Sequence, residues 1–253
     1  MNVDGEYIYC IIRCNDKQEF PFRGVGDSER VYTVNYEDLG VVVSDSPIVR
    51  YDISRQNTIP HERVIEEVMQ RGYDVLPVRF GTIAQDADQI RERLLKRRFL
   101  LLHGLLHQVE NKVELGLKAF WNKEQVFREI VEGEPEIKAY RDALAQQPPE
   151  KTYAARIELG RMVEAMLIAK RDQEGEQILA TLRPLAEEVR VNPNLGDMMV
   201  LNAAFLVSRA RESEFDARVN ALHEKHTGRM TFKYVGPVPP FNFVNIVVNW
   251  NEE

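Results

Sequence analysis

The chain has 253 residues, 44% hydrophobic and 29% charged, with a formal net charge of −7, a length that suits one large domain or two small ones. An acidic balance excludes an electrostatic nucleic-acid binder, which must neutralise phosphates with a positive surface. No run approaches the ~18 apolar residues of a membrane span and no charged-then-apolar leader opens the chain, so the sequence predicts a cytosolic protein that does not enter a lipid membrane.

Residues 6–13 (EYIYCIIR) are almost continuously apolar, aromatic and β-branched, which predicts a central strand buried on both faces. The two cysteines, Cys10 and Cys14, form no disulfide framework; on one strand they would lie ~13 Å apart, beyond bonding reach. A turn region follows over 14–29, then a strand at Val31–Val34 and another over Leu39–Ser44. Polar residues 45–57 lead to Thr58-Ile59-Pro60, read as the start of a helix. Val64, Ile65, Val68 and Met69 line one face of that helix and Gly72 ends it. Val75-Leu76-Pro77-Val78 has strand character, with Pro77 suited to an edge or a strand end. Residues 86–109 read as one helix with Ile90, Leu94, Leu101, Leu105 and Val109 on its buried face.

Lys112–Ala119 alternates cleanly, as a half-buried strand does. Two short helices over 123–147 are interrupted by Gly133-Glu134-Pro135. A long helical region follows, in which Leu159, Met162, Val163 and Met166 share a face and Pro184 kinks or restarts the helix. Val189–Val191, the buried strand Met198–Val207, a helix carrying Phe215, Val219 and Leu222, and the alternating Arg229–Val235 complete the order strand, helices, strand, strand, helix, strand. The predicted fold is therefore α+β in two domains: residues 1–110, and 111–236 as a modified ferredoxin-like βαββαβ domain with extra helices in its first crossover. Residues 237–253 form an apolar tail expected to pack between them. Phe241, Phe243, Val244, Ile246 and Trp250 are its candidate interdomain or partner-binding residues, and burying such a set is worth roughly 10 kcal/mol at most.

No constellation points to chemistry. His103 and His107 stand at i, i+4, the spacing of a metal pair, but lack the intervening acid of a zincin. His223 and His226 suit a helix end, and the basic run 91–98 suits a solvated helix face. Gly24-Val25-Gly26 lacks the third glycine of a phosphate loop. No catalytic, cofactor-binding or metal-ligating residue is assigned, and no cofactor is expected.

Four stretches carry a resemblance. Tyr7–Ile12, the set His61…Val75-Leu76-Pro77…Arg79-Phe80-Gly81-Thr82, Lys112–Lys118 (KVELGLK) and Gly236–Val244 (GPVPPFNFV) occur in order along nearly the whole chain. Together they resemble the signature of the gas vesicle protein F/L family. The resemblance implies a minor or accessory protein needed to form gas vesicles, the protein-walled flotation compartments of some prokaryotes. It implies as partners the small hydrophobic major shell protein, gas vesicle protein A, and other accessory gas vesicle proteins, with a shell-associated location within the cytoplasm. The expected role is to bind the shell protein and prevent its aggregation during nucleation or assembly. A purely structural minor shell component is the alternative; a small-ligand enzyme using an interdomain cleft is a remote one.

Overall fold

The computed structural model describes residues 5–250; residues 1–4 of the first expected domain and 251–253 of the expected tail lie outside the described residues. The chain divides into two compact units, Met1–Glu114 with Pro237–Glu253, and Leu115–Gly236. The tail thus belongs to the first unit.

The first unit is built on strands β1 (Gly5–Arg13), β2 (Glu19–Phe20), β3 (Val31–Tyr36), β4 (Leu39–Ser46), β5 (Val75–Pro77) and β6 (Ile83–Ala84). Their order is β2-β3-β4-β1-β5, with β6 also pairing β1. The strand predicted to be central is central: β1 pairs antiparallel with β4, β5 and β6, and Tyr7–Ile12 are fully buried. A bulge between Ile8 and Cys10 shifts its alternation. Ile8 and Ile11 face one apolar cluster, whereas Tyr7, Tyr9, Cys10 and Ile12 face the other.

Each face is covered by a different set of helices. Helix α1 (Arg55–Gln70) lays Val64, Ile65, Val68 and Met69 on the tyrosine side. It begins five residues before Pro60 rather than at the expected Thr58-Ile59-Pro60, because the Ser54 carbonyl already accepts the N–H groups of Asn57 and Thr58. The opposite face is covered by the short helix α2 (Ala87–Gln89), a π-helical segment Ile90–Lys96 and helix α3 (Phe99–Val109). The single helix expected over 86–109 is therefore broken. The wider π turn and the junction at Arg97 and Arg98 shift the phase by one residue. Leu102 and Leu106 are buried in place of the predicted Leu101, which is exposed, and Leu105, which is half-buried.

The second unit contains the element order expected for it. Strand β7 (Lys112–Trp121), which starts just before the division, is followed by helices α4 (Lys123–Gly133), α5 (Pro135–Ala145) and α6 (Tyr153–Leu182). Strands β8 (Glu188–Val191) and β9 (Met199–Ser208), helix α7 (Glu212–Lys225) and strand β10 (Met230–Val238) complete it. The sheet order is β10-β7-β9-β8. Helix α6 stops at Leu182, and Pro184 sits in a separate 3-10 turn, Arg183–Leu185. The far half of α6 buries Ile178, Leu179 and Leu182, whereas Leu159, Met162, Val163 and Met166 in its first half are only half-buried.

Candidate partner-binding surface

Two of the four resembling stretches lie wholly in the first unit, and the other two reach it with Lys112–Glu114 and Pro237–Val244. His61 of α1 is buried, and its Nδ1 lies 3.1 Å from the Tyr7 hydroxyl. Burial pushes its imidazole down to about 4, so it is neutral at ordinary pH. The same Tyr7 oxygen accepts the Gly81 N–H at 3.0 Å. Gly81 has φ +79, the left-handed region in which a side chain is strained, so the turn requires glycine. The Thr82 hydroxyl closes that turn on the Arg79 carbonyl at 2.6 Å. The Arg79 side chain is exposed. Phe80 packs edge-on to both Tyr7 and His61.

The tail is anchored beside this cluster. Val78 forms a parallel bridge with Ile246, and the Arg79 N–H donates to the Ile246 carbonyl at 3.1 Å. Glu114 of KVELGLK is buried and accepts both the Asn242 N–H, at 2.7 Å, and the Asn242 side-chain amide. Burial raises the Glu114 pKa against the opposing effect of those donors. The basic run contributes too, since Arg98 donates to the Val247 carbonyl and Arg93 to the Trp250 carbonyl.

The five residues singled out in the tail separate on this geometry. Val244 and Ile246 lie in the cluster that holds Ile8, Leu76 and Leu94, so they are core. Trp250 is half-buried, with its indole N–H on the Ile83 carbonyl at 2.7 Å. Phe243 is half-buried, and Phe241, 37% exposed, borders a small hollow with His61, Phe80 and Val244. An accessible apolar surface lies next to them, where the sequence reading saw only a polar connection. Ile48 (54% exposed), Val49 and Ile53 (89%) stand on the loop before α1. With Phe80, Val247 and Trp250 they line a groove of about 840 Å³, among whose polar residues are Arg50, Asp52 and Arg79. Three branched side chains exposed within six residues, without strand or helix period, were the available signal.

His103 and His107 each meet a carboxylate of their own. His103 lies 2.8 Å from an Asp38 carboxylate oxygen and His107 3.0 Å from Glu110. Among the described residues no group of three or more potential ligands could hold a metal ion, and no helix is long and apolar enough to cross a membrane.

The arrangement is a groove lined by apolar and polar side chains beside the anchored tail. Known proteins share this fold. Gas vesicle protein F of Dolichospermum flosaquae is 27% identical over 241 residues, 95% of this chain and 97% of its own. The crystal structure of gas vesicle protein GvpF from Anabaena sp. PCC7120 matches with a TM-score of 0.85 at 24% identity, covering 97% of this chain and 100% of that one. The crystal structure of GvpF from Microcystis aeruginosa matches with a TM-score of 0.77 at 26% identity, covering 95% and 98%. A family model described as gas vesicle synthesis protein GvpL/GvpF matches residues 5–245, nearly the whole length. The chain belongs to that family and is an accessory protein of gas vesicles.

Proposed function

We propose that this protein binds the small, hydrophobic major shell protein of the gas vesicle and keeps it from aggregating during nucleation or growth of the shell. The observation that carries the reading is the groove lined by Ile48, Val49, Ile53 and Val247. A wall that keeps water from its gas side must be made of subunits with a large apolar face. Before assembly such a face needs a cover, and an apolar groove bordered by charges supplies one without itself inviting aggregation. The groove floor is held by Tyr7, Gly81 and the buried tail, so it is preformed and little ordering entropy opposes docking. The protein acts here as a binding partner rather than an enzyme, working in the cytoplasm and at the shell, alongside other accessory gas vesicle proteins.

Co-expression with the major shell protein, followed by pull-down and sizing of the soluble fraction, tests the reading. A soluble complex is expected, and it should be lost in the Ile48→Asp/Ile53→Asp variant. Both positions are exposed, so the melting temperature of the variant should stay near that of the wild type. A shell protein that remains insoluble, or a complex indifferent to the double substitution, overturns the assignment. A fixed stoichiometry in washed vesicles without soluble capture would point to a purely structural shell component.

A further inference from the structure

The first half of α6 presents an apolar face that the second unit leaves open. Tyr153 (74% exposed), Ile157 and Ile168 are solvent-exposed, and Gly160, Val163 and Leu167 line a groove of about 550 Å³ that Phe127 of α4 also borders. Gly160 is exposed, and a methyl group added there would meet no atom within 4 Å, so the helix backbone is open to close approach. Four residues before it stands Arg156 and four after it Glu164, both exposed on the same groove. Arg156 donates through Nε to the Thr152 hydroxyl at 3.0 Å. Neither Arg156 nor Glu164 takes part in an ion pair among the described residues.

That pattern is self-complementary. An antiparallel crossing of two α6 helices on a two-fold axis at Gly160 sets each residue opposite the one equally far on the other side. Arg156 then faces Glu164 of a second copy, and Glu164 faces its Arg156. Ile157 faces Val163, and Tyr153 faces Leu167. The contact row 156, 160, 164 is an i±4 ridge, the type that interdigitates in the commonest helix crossing. Such an isologous contact closes on itself after two copies and builds no filament.

We infer that this face of α6 is a homodimer interface, with the second copy as its occupant and Gly160 at the crossing point. Charge complementarity favours a second copy over a foreign helix, because the one sequence supplies both members of both ion pairs. The contact is independent of the groove in the first unit.

Sedimentation equilibrium of the full chain from low to high micromolar concentration provides the test. The wild type should form a reversible dimer. Arg156→Glu and Glu164→Arg, each of which sets like charges opposite one another twice, should weaken it by roughly tenfold or more. The double reversal Arg156→Glu/Glu164→Arg restores both pairs and should recover the dimer. All three substitutions are exposed and should leave the circular dichroism and melting of the dilute monomer unchanged. A monomer across the whole range overturns the proposal. So does a dimer insensitive to the single reversals, or a double variant no better than the singles.

Discussion

The two units hold distant parts of the chain together by opposite means. In the first, the tail is secured by apolar burial of Val244 and Ile246 and by neutral or single-charge hydrogen bonds such as Trp250–Ile83 and Glu114–Asn242. In the second, the equivalent junction is ionic. Arg229, just before β10, reaches Glu129 of α4 through Nε at 2.8 Å and Nη2 at 2.7 Å, and also contacts Glu174 of α6. Lys170 lies 3.3 Å from both carboxylates, and the Trp121 indole N–H donates to Glu174 at 2.6 Å. Hydrogen bonds from Arg229 hold the Glu129 carboxyl down at about 2. A cluster of this kind is weak as a source of net stability but costly to break one-sidedly, whereas an apolar plug contributes by area.

That contrast is sharpest under salt. Ile246→Ala should cost about 3–4 kcal/mol through lost transfer energy and the cavity left behind, independently of ionic strength. Arg229→Ala should cost up to about 3 kcal/mol at low salt, because two carboxylates that are mostly covered are left with Lys170 as the one cation they share. The second gap should narrow as salt rises. The chain contains two tryptophans, Trp250 in the first unit and Trp121 in the second, so Trp→Phe variants that leave one of them report each unit separately in denaturant. Equal salt dependence of the two substitutions would break the comparison.

Acid should separate the units by a different route. A histidine held neutral by burial binds its proton near pH 6.5 in the unfolded chain but only at about 4 in the fold. The stability His61 contributes is complete above pH 6.5 and is lost as pH falls towards 4, amounting to about 2 kcal/mol by pH 5. Glu129, low in the fold, loses its contribution only below about 4.5, the carboxylate value of the unfolded chain. Buried Glu114 and half-buried Glu6 act in the opposite direction, since desolvation raises both and protonation relieves them. Comparison with His61→Gln, on which those carboxyls are unchanged, isolates the histidine. The wild type should lose stability relative to this variant between pH 6.5 and 4, reported by Trp250; parallel profiles would remove His61 as the cause.

Local periodicity made most elements readable and long-range partners unreadable. EYIYCIIR announced a doubly buried strand, and Val64, Ile65, Val68 and Met69 announced the buried face of α1, because each signal lies within one element. The helix phase after Ile90 was hidden, since the π turn over Ile90–Lys96 leaves no mark in IRERLLK, and in the apolar-rich RFLLLHGLLHQV that follows only packing decides between Leu101 and Leu102. Glu114 and Asn242 were visible as parts of two motifs, but nothing local to either says that one holds the other across 128 residues. The groove was missed for a related reason. Ile48, Val49 and Ile53 form no period, so their exposure became meaningful only once the 79–83 turn and the tail stood beside them.

The smallest expected effect discriminates between the units by sign. Gly81→Ala and Gly160→Ala make the same chemical change at two sites where the added methyl meets nothing within 4 Å. Space is therefore not the issue at either, and backbone geometry alone decides. At Gly81, φ +79 forces the alanine into the left-handed region, which costs about 1–2 kcal/mol. At Gly160, inside α6, alanine is the better helix former by roughly 0.8–1 kcal/mol. Chemical denaturation of dilute monomer should thus show the first unit weakened by one substitution and the second strengthened by the other. Sedimentation of Gly160→Ala at higher concentration should show a looser dimer despite the more stable fold, because the methyl group stands at the crossing point. A gain in stability at Gly81 would mean that its turn has other reasons for glycine than backbone conformation.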